Sequence, residues 1–241
     1  MISKAQIKLL RQLNQKKYRD EYGLFIAEGP KVVNELMNSH YKLKEIHALS
    51  GYQLSNTKYK VQEVTQKELE QISFLTAPNE VLGVFEIPPS TYRQSSIISQ
   101  LVLALDDIRD PGNLGTMIRI ADWFGIKNIL CSETCVDVYN SKVVQGSMGS
   151  IARVNIHYVK LENALKEFEP IYGAVMDGKN IYTEKFSSKG VILIGNESRG
   201  ISEGLLPLIT NKISIPRFSD KTDSLNAAIA AAIICSEFKR R

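Results

Sequence analysis

Cysteine and histidine are scarce in this chain of 241 residues, with three of each. Cys131, Cys135 and Cys235 cannot build a disulfide framework, and their odd number suits a reducing compartment. Cys131 and Cys135 stand at C-x3-C spacing, but His40, His47 and His157 offer no partner spacing, so buried inert thiols and no metal site are expected. No histidine lies in or beside the polar loops described below, which excludes a Ser-His-Asp or Cys-His nucleophile. Long hydrophobic runs are also missing. The longest is the nine residues 227–235, well short of the ~20 that cross a bilayer. The first residues intersperse Lys and Arg with apolar side chains, unlike a signal peptide. A soluble, cytoplasmic protein with no membrane partner is expected. Neither G-x-G-x-x-G nor G-x-x-x-x-G-K-[ST] occurs, which argues against ordinary NAD or ATP binding.

Charge is nearly balanced, 30 basic against 26 acidic residues and a net charge of +4. That permits a polyanionic partner without requiring one. The distribution is more telling. Lys4, Lys8, Arg11, Lys16, Lys17 and Arg19 crowd the first twenty residues, where Asp20 is the only acid, and Lys239, Arg240 and Arg241 close the chain. Such clusters serve either as a phosphate-binding face or simply as a solvated helix surface.

Residues 2–13 carry apolar side chains at helical spacing with basic residues between them, and so form an amphipathic helix. Short strands are expected near 22–27, 45–49, 59–64 and 81–87, with helices at 29–37 and 67–72. This is a small α/β domain over residues 1–90. The proline- and serine-rich stretch 87–96 reads as a linker. From 97 to 241 the rhythm is regular: strands at 101–105, 128–131, 155–159, 171–176, 191–194 and 213–215 alternate with helices at 114–124, 141–151, 161–168 and 205–209. A terminal helix begins near Asp223 or Ser224, either a suitable N-cap. Continuous apolar strands alternating with helices predict a mostly parallel sheet covered on both faces, with ligands at the carboxyl ends of its strands.

Three strand-end loops in this second domain concentrate polar residues. The first, 106–122, holds Asp106, Asp107, Arg109, Asp110 and Asn113, with Arg119 on the following helix. The second breaks a buried strand at Gly195 into Asn196, Glu197, Ser198, Arg199 and Gly200. The third runs from Ile215 and Pro216 to Ser224, Leu225 and Asn226, where an almost wholly apolar helix starts. Each has a plain structural use, as turn or cap. Each also suits a ligand site, the last through the free N–H groups and positive end of a helix.

Asn113 with Arg119 six residues on, G-N-E-S-R-G at 195–200, and I-P at 215–216 with S-L-N at 224–226 resemble, in order, the three motifs of the SpoU/TrmH family of RNA methyltransferases. Gln145 to Ser150 is similar to that family's intermediate Ser-x-Gly element. Lys17, Arg19, Phe25, Glu28, Gly29 and Val33 resemble its N-terminal substrate-binding domain. The loop 219–223 departs from the family pattern in being more charged. The resemblance implies 2′-O-methylation of ribose in RNA, rRNA before tRNA, with S-adenosylmethionine as cofactor and a homodimer as the working form. It also implies the fold: a small, ribosomal-protein-like α/β substrate-binding domain followed by a mostly parallel α/β SPOUT domain with a deep trefoil knot. Carried over by motif, Asn113, Arg119, Glu197, Ser224 and Asn226 are the catalytic residues, and Ile194, Gly195, Ile215 and Leu225 bind the cofactor. Two other readings are a non-catalytic RNA-binding or ribosome-assembly protein on the same fold and a related methyltransferase acting on a base nitrogen.

The resemblance gives the motif-one Arg the part of general base, which its chemistry opposes. Neutralising an Arg, which is protonated far above neutrality, costs roughly 7 kcal/mol near pH 7, and a phosphate contact raises that figure. Arg119 is therefore expected to clamp RNA phosphate and stabilise the developing alkoxide, with the proton leaving to another acceptor.

Overall fold

The computed structural model describes residues 2–53, 59–89, 92–219 and 224–240. In chain order the elements are α1 (Lys4–Gln12), α2 (Lys16–Tyr22), β1 (Leu24–Glu28), α3 (Pro30–Met37), β2 (Leu43–Leu49), β3 (Gln62–Val64), α4 (Gln66–Ile72) and β4 (Val81–Glu86). There follow β5 (Leu101–Leu105), α5 (Pro111–Trp123), β6 (Asn128–Cys131), α6 (Ser141–Ser147), β7 (Asn155–Tyr158) and α7 (Leu161–Ala164). The chain ends with β8 (Ile171–Asn180), β9 (Gly190–Ile194), β10 (Asn211–Ser214) and α8 (Ala227–Lys239). Two compact units result, Met1–Pro89 with Asp137–Arg153, and Ser90–Val136 with Val154–Arg241.

In the first unit, helices α1 and α4 both start with capping boxes, Ser3 with Gln6 and Thr65 with Glu68, each satisfying two otherwise orphaned donors. The sheet order is β1-β4-β2-β3, with β4 antiparallel to both neighbours and β3 parallel to β2. Leu10, Leu13, Ile26, Leu69, Ile72, Leu82 and Val84 pack into one core on it. Helix α2 is absent from the sequence expectation, because KKYRDEY has no apolar stripe at helical spacing. Its one buried residue explains it. Arg19 is 2% exposed, donates to Asp137 Oδ2 from Nη2 at 2.6 Å and from Nε at 2.9 Å, and donates from Nη1 to the carbonyls of Leu13 and Asn14. Arg19 therefore leaves the basic face, whereas Lys4, Lys8, Arg11, Lys16 and Lys17 stay exposed.

Asp137 opens the segment that a linear division near residue 90 would place with the second domain. Its packing partners lie in the first unit. The Tyr139 ring stands 4.7 Å from that of Phe25, and Arg153 pairs with Glu35. Gly149, at φ 92, lies so close to Glu35 that a Cβ there would meet its Cγ at 2.7 Å. The helix expected over 141–151 stops at Ser147, since Met148 (φ 51) and Gly149 turn left-handed. Arg19→Met should lower the thermal midpoint of the protein, with a loss of about 3 kcal/mol, because it leaves Asp137 as a half-paired charge. Scanning calorimetry on the purified protein measures this.

The second unit is built on six strands, all parallel, in the order β10-β8-β9-β5-β6-β7. The central pair β5 (LVLAL) and β9 (GVILI) is buried at every residue, which is why both read as unbroken apolar runs. Val102, Ala104, Leu130, Val191 and Leu193 form one core with Leu161, Leu165, Phe168 and Leu205. The helix expected at 205–209 is only a 3-10 turn, Leu206–Leu208, with Pro207 inside it. Helix α8 begins later than expected, with Asn226 as N-cap. Ser224 is not the cap, and Asp223 lies outside the described residues. The helix packs against α5, burying Ala227, Ala228, Ala231, Ile234, Cys235 and Phe238 and leaving Ile229 53% exposed.

All three cysteines are free and buried. The Cys135 thiol is drawn down to about 7, chiefly by a hydrogen bond with Cys131 and against the effect of burial. Among the described residues no helix is long and apolar enough to cross a membrane, and no group of His, Cys, Asp and Glu could hold a metal ion.

Candidate active site

The site lies where the loops after β5 and β9 meet the start of α8. Asp110 caps α5, its Oδ1 accepting from Asn113 N at 2.8 Å, and so fixes Asn113 in the first helical turn. The loop after β9 closes on itself. Asn196 N donates to Gly200 O at 2.9 Å and Gly200 N to Asn196 O at 2.8 Å, while Asn196 Oδ1 accepts from the backbone of Ser198 and Arg199. That turn presents Glu197 outward. Its Oε1 accepts three hydrogen bonds, from Asn226 Nδ2 at 2.6 Å, Asn113 Nδ2 at 2.8 Å and Ala227 N at 3.1 Å.

Asn226 completes the cluster. Its Oδ1 accepts from Ala228 N and Ile229 N, capping α8, and its Nδ2 also donates to Asn113 Oδ1 at 2.9 Å. Capping and site building are thus one arrangement, with the amide oxygen turned to the helix and the amide nitrogen to the other two loops. Ala227 N, at the positive end of the helix, places a further favourable charge beside the carboxylate.

Beneath this cluster, Asp106 and Asp107 tie the first two loops together. Asp106 Oδ2 accepts from Ser202 N at 2.8 Å. Asp107, at φ 56, donates its N–H to Ser132 Oγ and accepts at its carbonyl from Asn196 Nδ2. Burial pushes the Asp107 carboxyl up, but hydrogen bonds from Arg109 and Thr134 and the charges of Arg109 and Arg199 together hold it below the usual range. Asn196, inside the second motif, and this pair of acids, which the motifs do not mark, have positioning roles. The signal present in the sequence is their place, directly after two buried strands.

Two motif residues stand outside the cluster. Arg119 is exposed and makes no hydrogen bond or ion pair with another described residue. Six residues beyond Asn113, it lies about 9 Å further along the helix and about 120° around it. Ser224 is exposed and likewise without a described partner. Among the expected cofactor contacts, the Ile194 carbonyl already accepts from Asp106 N at 2.9 Å. Gly195 is demanded by its own loop, since a Cβ there would meet the Gly200 carbonyl carbon at 2.3 Å and Ile201 N at 2.4 Å. The backbone groups of Gly195, Ile215 and Leu225 make no backbone hydrogen bond among the described residues. These open donors and acceptors, with the exposed Leu225 side chain, fit a cofactor that has both amino-acid and heterocyclic parts.

A parallel sheet whose loops gather an asparagine-bound carboxylate beside unpaired loop backbone defines an α/β group-transfer enzyme with a loop-held cofactor. The chain belongs to the SpoU rRNA Methylase family, whose profile matches residues 100–236. The profile of the MRM3-like substrate binding domain matches residues 4–83. The 23S rRNA (guanosine(2553)-2′-O)-methyltransferase RlmP of Bacillus subtilis is 26% identical over 237 residues, 95% of this chain and 94% of that protein. A TrmH-family protein from Porphyromonas gingivalis superposes with a TM-score of 0.90 at 35% identity, covering 100% of this chain and 99% of its own. The AdoMet-bound rRNA methyltransferase of Sinorhizobium meliloti superposes with a TM-score of 0.87 at 29% identity, covering 100% and 96%.

Proposed function

We propose that this protein transfers a methyl group from S-adenosylmethionine to a ribose 2′-hydroxyl of ribosomal RNA in the cytoplasm. The observation that carries the reading is the Asn113–Glu197–Asn226 cluster, in which the three motifs of a 2′-O-methyltransferase are joined by direct hydrogen bonds. A protein that had kept only the fold for RNA binding would have no use for an exposed carboxylate held by two asparagines. When bound, the cofactor supplies a methyl group activated by a positively charged sulfur. Backbone groups of Gly195, Ile215 and Leu225 would hold it beside the end of β9 at Ile194, and a trefoil knot through the last strands and loops would keep them in register. Arg119, exposed and without a partner among the described residues, clamps a phosphate of the substrate, and Ser224 contacts the ribose.

The first unit carries the RNA-binding role, supported by the exposed Lys4, Lys8, Arg11, Lys16 and Lys17. Deleting residues 1–90 is not a clean test of that role, because it strips Tyr139 and Gly149 of Phe25 and Glu35. The direct experiment incubates the purified protein with S-adenosylmethionine and ribosomal RNA from cells lacking it, then maps ribose methylation. One newly protected rRNA nucleotide is expected. Transfer to tRNA alone would replace the substrate assignment, and no transfer to either would overturn the reading.

The working form is a homodimer. Ile229 on α8 and Trp123 on the adjoining α5 are 53% and 85% exposed, and Ile233, one helical turn on from Ile229, is half-buried. A two-fold contact would cover this patch. Ala231 is fully buried within its own chain, so the outward position to change is Ile229. Ile229→Arg should halve the mass seen by light scattering at micromolar concentration. A parent protein already at 27.0 kDa would rule the dimer out.

A further inference from the structure

Methylation of a hydroxyl releases a proton, and among the described residues of the three loops few groups can take it; Asp110, the exposed acid of the first loop, has its Oδ1 committed to capping α5 and does not touch the other two loops. Arg119 is a guanidinium, and arginine side chains stay cationic throughout the working pH range. No histidine lies in the three loops. Asp106 and Asp107 are buried, and both are engaged by the loops they join. Glu197 is different. All three of its donors converge on Oε1, and among the described residues Oε2 accepts from none. The carboxylate is exposed, immobilised by its other oxygen, and stands at the meeting point of the motif loops.

We infer that Glu197 Oε2 is the acceptor of the 2′-hydroxyl proton. As the bond between O2′ and the methyl carbon forms, and the methyl–sulfur bond breaks with its electron pair left on sulfur, the O2′ proton passes to Oε2. Glu197 is then a neutral acid and returns the proton to water. A strong base is not what the step needs. An alcohol oxygen that is gaining a third bond becomes far more acidic than any carboxylic acid, so a correctly placed weak base suffices. Two asparagines supply the placement. The inference rests on the ribose methylation proposed above.

Glu197→Gln separates this role from that of a tie between loops. The Gln oxygen can accept the same three bonds, while its nitrogen puts a donor where Oε2 was. The thermal midpoint should match that of the parent, calorimetric affinity for S-adenosylmethionine should stay within about threefold, and single-turnover methylation should slow by about 10²–10⁴-fold. Activity within about threefold of the parent overturns the inference. So does a loss of cofactor affinity that accounts for the lost activity, since Glu197 would then be a tie and nothing more. The unsubstituted protein gives an independent measure. Its single-turnover rate should be flat from about pH 6 to 9, where a carboxylate is ionised throughout, whereas a tenfold rise per pH unit to pH 9 would hand the proton to hydroxide or to a base of high pKa. Failure of the unsubstituted protein to methylate any RNA would fail the functional reading. Transfer that survives Glu197→Gln would fail this inference alone.

Discussion

Asn226→Ala should reduce methyl transfer by more than about 10²-fold and also lower stability by about 1 kcal/mol, the usual loss when an asparagine N-cap becomes alanine. Both effects come from one side chain. The amide oxygen holds the first N–H groups of α8, and the amide nitrogen holds Glu197 and Asn113. Asn226→Ser divides them. Serine caps a helix nearly as well but is too short to keep both amide bonds, so the serine variant should melt close to the parent and be as inactive as the alanine variant. If Asn226→Ser kept full activity in a methylation assay, the nitrogen side of the cluster would have no part in the chemistry.

Gly195→Ala should destroy cofactor binding by a route that differs from steric exclusion of the ligand. The added methyl group would sit 2.3 Å from the Gly200 backbone, and main chain cannot rotate aside as a flexible side chain can. The turn between Asn196 and Gly200 has to open, carrying Glu197 away from Asn113 and Asn226. A loss of about 1–3 kcal/mol is expected from such overpacking, together with at least a tenfold weaker calorimetric affinity for S-adenosylmethionine. Parental stability and affinity in the alanine variant would mean that the loop has slack which its hydrogen bonds do not suggest.

The parallel sheet was legible because burial on both faces leaves a plain trace, as in LVLAL and GVILI. The cluster was legible only through motif resemblance. Nothing in the spacing of Asn113, Glu197 and Asn226 along the chain says that they meet, because their contacts span separations of 29 to 113 residues. Arg19 shows the opposite failure. A cationic residue among other cations reads as surface until its partner Asp137, 118 residues away, is known. In the apolar helix α8 the composition could not say which face is turned inward, since small apolar residues run all around it; Ala231 is buried and Ile229 is exposed. Its start was misplaced for a local reason, because Ser224 and Asn226 are both good caps and only the tie to Glu197 selects between them.

The segment Asp137–Arg153 has a bearing on how the protein is made. The first unit is not complete until Arg153 leaves the ribosome, 64 residues after Pro89, so its N-terminal part waits about 3–13 s at ordinary synthesis rates. Until Asp137 and Tyr139 emerge, Arg19 is without its carboxylate and one side of Phe25 is uncovered. The nascent domain is thus incomplete while much of the sheet that carries the chemistry is still being translated, and neither unit can be exchanged between proteins, as tandem domains are, by a single cut in the gene.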